Sequence, residues 1–208
     1  MSERDKMRPC KFVKCPDFPC QDINKNRYVV PDIEVDAEKI RAIMISEAPS
    51  PEVSDDFYAQ GKPFYAQTTV QAFNGAGLGV SSMEDVLTQG VYVTTAIKCA
   101  KTAYAITPKT IENCSFRILE KEIDLFPKVK TLLLMGDTAI KAMNYTAQRN
   151  TGKRIVPSGS TYKIRKNTYL YKQFRVFPSY LQTGKSYLIE KSKRKMIAED
   201  IKTALAHP

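Results

Sequence analysis

Three short apolar runs, each closed by turn residues, frame this chain: 41–46 (RAIMIS), 91–98 (VYVTTAIK) and 130–136 (KTLLLMG). Runs of this length without polar alternation have the pattern of strands buried on both faces. Between the second and third, Thr107 is placed to cap a helix and Pro108 suits its first turn. Ile111, Cys114, Ile118 and Leu125 then recur at helical spacing, predicting a helix over 108–126. Asp137 opens a further helix carrying Ile140 and Met143. Residues 168–178 read as another strand, and 188–205 as a basic amphipathic helix with Met196, Ile197, Ile201 and Leu205 on one side. Strands alternating with helices predict an α/β fold whose mostly parallel sheet is covered on both faces. Ligands bind such sheets beyond the carboxyl ends of the strands, which puts 47–50, 99–102 and 178–181 near a common rim.

No composition shift or linker divides the 208 residues, so a single domain is expected over 1–208, with 1–30 as a cysteine-bearing N-terminal arm. No apolar run has the length to span a bilayer, and the first twenty residues carry charges in place of a signal-peptide core. The expectation is a soluble, cytoplasmic monomer. The net charge of +10 is unevenly spread: from Thr138 to Ile189 there is no Asp or Glu. That stretch holds Lys141, Arg149, Lys153, Arg154, Lys163, Arg165, Lys166, Lys172, Arg175 and Lys185. Tyr145, Tyr162, Tyr169, Tyr171, Phe174, Phe177, Tyr180 and Tyr187 are interleaved with them. Cations that neutralise phosphates, mixed with rings that stack on bases, form the footprint of single-strand or flipped-base binding. The alternative is a solvated basic face with part of the aromatic set in the core.

Cysteines stand at 10, 15, 20, 99 and 114. Clustered cysteines in an intracellular chain point to metal or cluster ligation before disulfides. Spacings of five fit a zinc knuckle poorly, since zinc favours tighter pairs. Two arm cysteines with Cys99 and Cys114 would supply the four thiolates of a [4Fe–4S] cluster. Free, buried cysteines remain the other reading.

Read in order, the rim motifs resemble the iron–sulfur branch of the uracil-DNA glycosylase superfamily. Ser46-Glu47-Ala48-Pro49-Ser50 matches that family's Gly-Glu-(Ala/Gly)-Pro-Gly loop, and Gly61-Lys62-Pro63-Phe64 its Gly-Arg-Pro-Phe segment. Thr95-Ala96-Ile97-Lys98-Cys99 stands where the family has Asn-x-x-Lys-Cys, and Thr107-Pro108-Lys109-Thr110 with Cys114 where it has Thr-Pro-Glu-Glu and its fourth cysteine. Leu134-Met135-Gly136-Asp137-Thr138-Ala139 is similar to Leu-Gly-x-x-Ala, and Phe177-Pro178-Ser179-Tyr180-Leu181 to His-Pro-Ser-Tyr-Leu. The resemblance implies a three-layer α/β/α sandwich around a short, mostly parallel four-stranded sheet. It implies cluster ligands at Cys15, Cys20, Cys99 and Cys114, with Cys10 as an alternative arm ligand. Glu47 would position or activate the hydrolytic water, and Ala48, Pro49, Phe64, Thr95 and Phe177 would line the base pocket, Phe64 stacking on the extruded base. DNA contacts would fall on Lys153, Arg154, Lys163, Arg165, Ser179 and Tyr180.

The chain also departs from the family. Thr95 offers one hydroxyl where the family's Asn offers a donor and an acceptor. Phe177 cannot donate the hydrogen bond of the family's His, and the single histidine, His207, sits at the C-terminus. The expected function is a glycosylase that hydrolyses the N-glycosidic bond of uracil or another deaminated or damaged base in DNA. The alternative is a non-catalytic nucleic-acid-binding member of the same fold. A small-molecule hydrolase on this fold would leave the basic stretch unexplained.

Overall fold

The computed structural model describes residues 6–183 and 185–206, with the backbone alone at Lys185 and Ser186; His207 and the Lys185 side chain lie outside the described residues. In chain order the elements are β1 (Lys6–Met7), α1 (Pro9–Phe12), β2 (Ile23–Tyr28), β3 (Val35–Asp36), β4 (Ala42–Ser46), α2 (Phe64–Gly75), α3 (Met83–Thr88), β5 (Val91–Thr95) and β6 (Cys99–Lys101). There follow α4 (Pro108–Cys114), α5 (Glu120–Ile123), β7 (Thr131–Met135), α6 (Asp137–Thr151), α7 (Thr161–Ile164), β8 (Tyr169–Tyr171), β9 (Phe174–Ser179), α8 (Lys185–Ile189) and α9 (Lys191–Leu205).

The main sheet has the order β5-β4-β7-β9-β8. β5, β4, β7 and β9 are mutually parallel and β8 is antiparallel to β9. The four parallel strands meet the expectation; the fifth arises because 168–178 is a hairpin rather than one strand. Its turn runs through Lys172 at φ 51, a left-handed residue with no glycine or asparagine to announce it. Every residue of β4, β5 and β7 is buried. Strand side chains alternate between faces, so Ile43, Ile45, Tyr92, Leu132 and Leu134 pack with Ile111 of α4 and Ile140 and Met143 of α6. Met44, Val93, Leu133 and Met135 pack on the opposite face with Phe73 of α2, Met83 of α3 and Ile197 and Ile201 of α9. Helices on both faces of the sheet give the three-layer sandwich. The helix expected over 108–126 forms as α4 and α5 joined by a π-helical segment, Ser115–Leu119, which begins just after Cys114. Thr107 caps α4 through its side chain and Pro108 opens it, as the sequence indicates.

The sheet registers align the carboxyl ends. Ser46 pairs with Thr95, Ile45 with Leu134, and Met135 with Ser179. β5 and β7 flank β4 on opposite sides, so the strand order reverses at β4 and a crevice opens beyond its end. β7 turns into α6 at Gly136, whose φ of 87 and ψ of 170 lie in a region that only glycine enters readily. A Cβ there would stand 3.2 Å from the Leu181 Cβ. Gly136→Ala is therefore expected to cost about 2–3 kcal/mol, read as a lower urea midpoint at unchanged slope. An unshifted midpoint would mean that this turn relaxes freely.

Candidate active site and cysteine cavity

Glu47 follows β4 directly and lies at the reversal of strand order. The Thr138 hydroxyl, in the first turn of α6, donates to Glu47 Oε1 at 3.3 Å. The Lys101 ammonium, at the end of β6, donates to Oε2 at 3.2 Å and to the Tyr104 carbonyl at 3.2 Å. The Glu47 and Lys101 side chains keep 22% and 30% of their exposure, so the pair is shielded yet open to a ligand. Tyr65 of α2 lies close enough to feel the Glu47 charge; burial first, and then that charge, push its phenol up to about 12.

The loop behind Glu47 is pinned from the arm. Arg27 of β2 donates to the Ser50 carbonyl at 2.9 Å and pairs with Asp56, whose other oxygen accepts from the Ser50 N–H at 2.9 Å. The loop after β5 hydrogen-bonds along the Glu47 segment, Ala96 N–H to the Ser46 carbonyl and Ile97 N–H to the Glu47 carbonyl. Ala48 is buried in the core face under α6. Pro49 and Thr95 line a cavity of about 330 Å³ with Arg27, Asp56 and Tyr58. That volume falls within the range of pockets that enclose small organic groups, about 300–1,000 Å³. Thr95 spends its hydroxyl proton on the Ile97 carbonyl at 2.7 Å, so toward the cavity it can only accept. Phe64 opens α2, half-buried and outside the hydrophobic clusters that make up the core.

Phe177 is not brought to this site. It pairs with Leu133, which pairs with Met44, three residues short of Glu47. At about 3.3 Å per residue it stands about 10 Å below the rim. Its ring is 4% exposed, packed in the core face under α2 and α9 with the Arg175 guanidinium 4.9 Å from its centre. The expectation that it lines the base pocket is corrected accordingly.

The expected DNA contacts divide. Lys153, Arg154 and Lys163 are exposed, and Tyr180 is half-buried with the Lys193 ammonium 5.4 Å from its ring centre. Arg165 and Ser179 instead turn inward. Arg165 pairs with Asp200 and Glu199 and donates to the Met196 carbonyl, while the buried Ser179 hydroxyl donates to Asp200. A guanidinium with 9% of its side chain exposed and two carboxylate partners is held inside the fold, which removes the reason for counting it as a phosphate contact. Of the interleaved aromatics, Tyr171, Phe174, Phe177 and Tyr187 are core residues.

Cys15, Cys20, Cys99 and Cys114 line one cavity, together with Tyr28 and Asn113. The topology explains the convergence: β2 pairs with β6 and so brings the arm beside Cys99, and Asp22 accepts from the Thr107 N–H at 2.7 Å, docking the arm on α4. Cys114 Sγ accepts from the Lys98 N–H at 3.3 Å. Burial pushes the Cys99 and Cys114 thiols up to about 12. Cys10 is elsewhere, donating to Asp32 at 3.2 Å. Among the described residues no three Cys, His, Asp or Glu side chains are grouped to hold a single metal ion.

Arg27 and Asp56 escape the sequence reading. Lys101 falls within the 99–102 stretch expected at the rim and Thr138 within the 134–139 motif, but their pairing with Glu47 joins residues distant in the chain, and no local spacing flags such pairs. No helix among the described residues is long and apolar enough to cross a membrane.

The family model for the uracil DNA glycosylase superfamily matches residues 34–202. A curated protein, the Type-5 uracil-DNA glycosylase of Thermus thermophilus, is 26% identical over 102 residues, 49% of this chain and 46% of that protein. The aligned part thus spans about half the length of that relative.

Proposed function

Because this chain belongs to the uracil DNA glycosylase superfamily, we propose that it is a DNA base-excision glycosylase that hydrolyses the N-glycosidic bond of a deaminated or damaged base. The observation that carries this reading is Glu47 itself, a carboxylate fixed beyond the end of β4 by Thr138 and Lys101 and still accessible. A carboxylate so placed accepts the proton of a water that attacks the sugar carbon. A base must leave the stack before it can be cut. Phe64 offers a face for it, and the cavity bearing Pro49 and Thr95 offers room. Lys153, Arg154, Lys163 and Tyr180 are the proposed contacts to the strand. With the Asn of the family pattern replaced by a Thr whose proton is already spent, the base is expected to be read by shape and by acceptor contacts more than by an amide.

We further propose that Cys15, Cys20, Cys99 and Cys114 hold a [4Fe–4S] cluster, which would tie the arm to β6 and α4. Tetrahedral zinc at about 2.3 Å from sulfur needs thiolates about 3.8 Å apart. A cluster puts each thiolate on a different iron and so accepts a wider set. Four thiols around one cavity supply the four thiolates that such a cluster takes.

The test is base release from end-labelled oligonucleotides containing uracil, hypoxanthine or xanthine, in single and double strands. Wild type is expected to leave abasic sites, and Glu47→Ala to be slower by about 10²–10⁴-fold. No release from any substrate, with DNA binding retained, would instead identify a non-catalytic DNA-binding member of the fold.

A further inference from the structure

The departing base takes the electron pair of the C1′–N bond, while the water oxygen bonds to C1′ and gives its proton to Glu47. The base then takes up a proton from solvent. As that bond breaks, negative charge builds on the ring and its oxygens, and an oriented donor lowers the barrier. The residue aligned with the family's histidine cannot be that donor here: Phe177 is a buried phenyl ring about 10 Å below the rim at about 3.3 Å per strand residue. Thr95 does not compensate, its hydroxyl proton being directed to the Ile97 carbonyl. The Thr138 hydroxyl is directed to Glu47.

We propose that Lys101 supplies the missing electrophile: its ammonium, anchored on Glu47, donates a hydrogen bond to an oxygen of the departing base. This inference rests on the glycosylase reading above and deepens it. Among the described residues Lys101 is the one cation in contact with Glu47. An ammonium has three donors. Two are directed to Glu47 Oε2 and the Tyr104 carbonyl, both at 3.2 Å, and these fix its position. The third has no hydrogen-bond partner among the described residues, with the Tyr104 ring centre 5.7 Å away, and can be taken by a ligand. The Lys101 side chain is 30% exposed, so it reaches the rim without being freely solvated. The same contact brings a donor and the water-activating carboxylate to one rim, where one can serve the bond that breaks at C1′ and the other the bond that forms. Lys101 comes from β6, whose position is set by the arm strand β2 rather than by the main sheet. The replacement for the histidine thus arises from a different part of the chain than the residue it replaces.

A donor to the leaving group and a mere anchor for Glu47 differ in one measurable respect. Fluorine at C5 stabilises the uracil anion, so 5-fluorouracil leaves with less help. Single-turnover base release should be measured for wild type, Lys101→Met and Lys101→Arg on matched oligonucleotides bearing uracil or 5-fluorouracil. If the enzyme takes purines, hypoxanthine and the more acidic xanthine serve as the pair. Lys101→Met is expected to lose about 10²-fold on the poorer leaving group and no more than about tenfold on the better one. Lys101→Arg should retain activity within about tenfold on both, since its guanidinium also donates. A thermal melt of each variant checks that the fold is intact. Equal losses of Lys101→Met on both leaving groups would overturn the proposal and leave Lys101 as a positioning residue for Glu47. Unchanged rates would overturn it outright. Wild type silent on every substrate would remove the glycosylase reading itself, whereas an active wild type with either of the other outcomes removes only the role of Lys101.

Discussion

Lys98→Met is expected to lower the free energy of unfolding by about 3–5 kcal/mol, although it replaces a charged side chain with an apolar one in the interior. The Lys98 side chain retains 1% of its exposure, and so does that of its ion-pair partner Glu122 in α5. Lys98 Nζ also donates to Thr94 Oγ1 at 2.7 Å and to the Thr95 carbonyl. Glu122 Oε1 accepts from the Tyr92 phenol at 2.8 Å and the Thr94 hydroxyl at 2.9 Å. The ammonium therefore neutralises a carboxylate that has no route to water. Remove it and Glu122 must stay charged without a counter-ion or take up a proton, and either is costly in a low-dielectric interior. For a chain of this size the loss corresponds to roughly 6–20 °C in Tm, at about 2–4 °C per kcal/mol. The double variant Lys98→Met/Glu122→Gln should recover more than half of it, because the amide is neutral and its oxygen still accepts from Tyr92 and Thr94. A single variant within about 1 kcal/mol of wild type would mean that water reaches the pair.

The same pair shows where the sequence is legible and where it is not. The apolar runs at 41–46 and 130–136 are β4 and β7 with at most a residue of fraying, because continuous burial leaves a continuous apolar signature. The run 91–98 is β5 only as far as Thr95. Beyond it the chain bends so that Lys98 reaches back to Glu122, a partner 24 positions on. A lysine ending an apolar run looks like the strand emerging into solvent, and nothing local distinguishes that from burial with a distant carboxylate. The basic stretch misleads in the same way. Arg165 counts as a surface charge until Asp200 and Glu199 arrive from α9, and half of its aromatic residues turn out to be core. Phe177 illustrates register: its place in a motif fixes its neighbours in sequence, but the strand continues two residues past it and moves it below the rim. At the candidate site the motif residues Glu47, Pro49 and Thr95 come to the rim, since each ends or follows a parallel strand, while the groups that hold them come from the arm, β6 and α6.

Loss of the proposed cluster should be the largest change this protein can undergo without a change of fold class. Anaerobically prepared protein is expected to hold about four iron and four sulfide per chain. Cys15→Ala, Cys20→Ala, Cys99→Ala and Cys114→Ala should each bring iron below about one per chain, whereas Cys10→Ala should retain it in full. The contrast follows from position: the four thiols line one cavity, while Cys10 is bonded to Asp32 outside it. Without metal, thiols as buried as Cys99 and Cys114 stay protonated at neutral pH and resist alkylation. Bound iron would reverse this, because a coordinating thiol is held as thiolate. The Lys98 N–H that points at Cys114 Sγ would then be a charge-assisted donor to a cluster ligand, and hydrogen bonds to the sulfurs help set a cluster's potential. The arm should respond most. Its docking otherwise rests on the β2–β6 pairing, on Asp22 at the start of α4, on Arg27 with Asp56 and on Asp17 with Arg117, so iron removal is expected to speed tryptic cleavage at Lys11, Lys14 and Lys25 while β4, β5 and β7 stay protected. If Cys10→Ala loses iron as completely as Cys15→Ala, the arm ligand has been misassigned. If reconstituted wild type binds no iron and its arm is cut at the same rate with and without it, the four thiols are an apolar lining and the strand pairing, hydrogen bonds and ion pairs of the arm secure it by themselves.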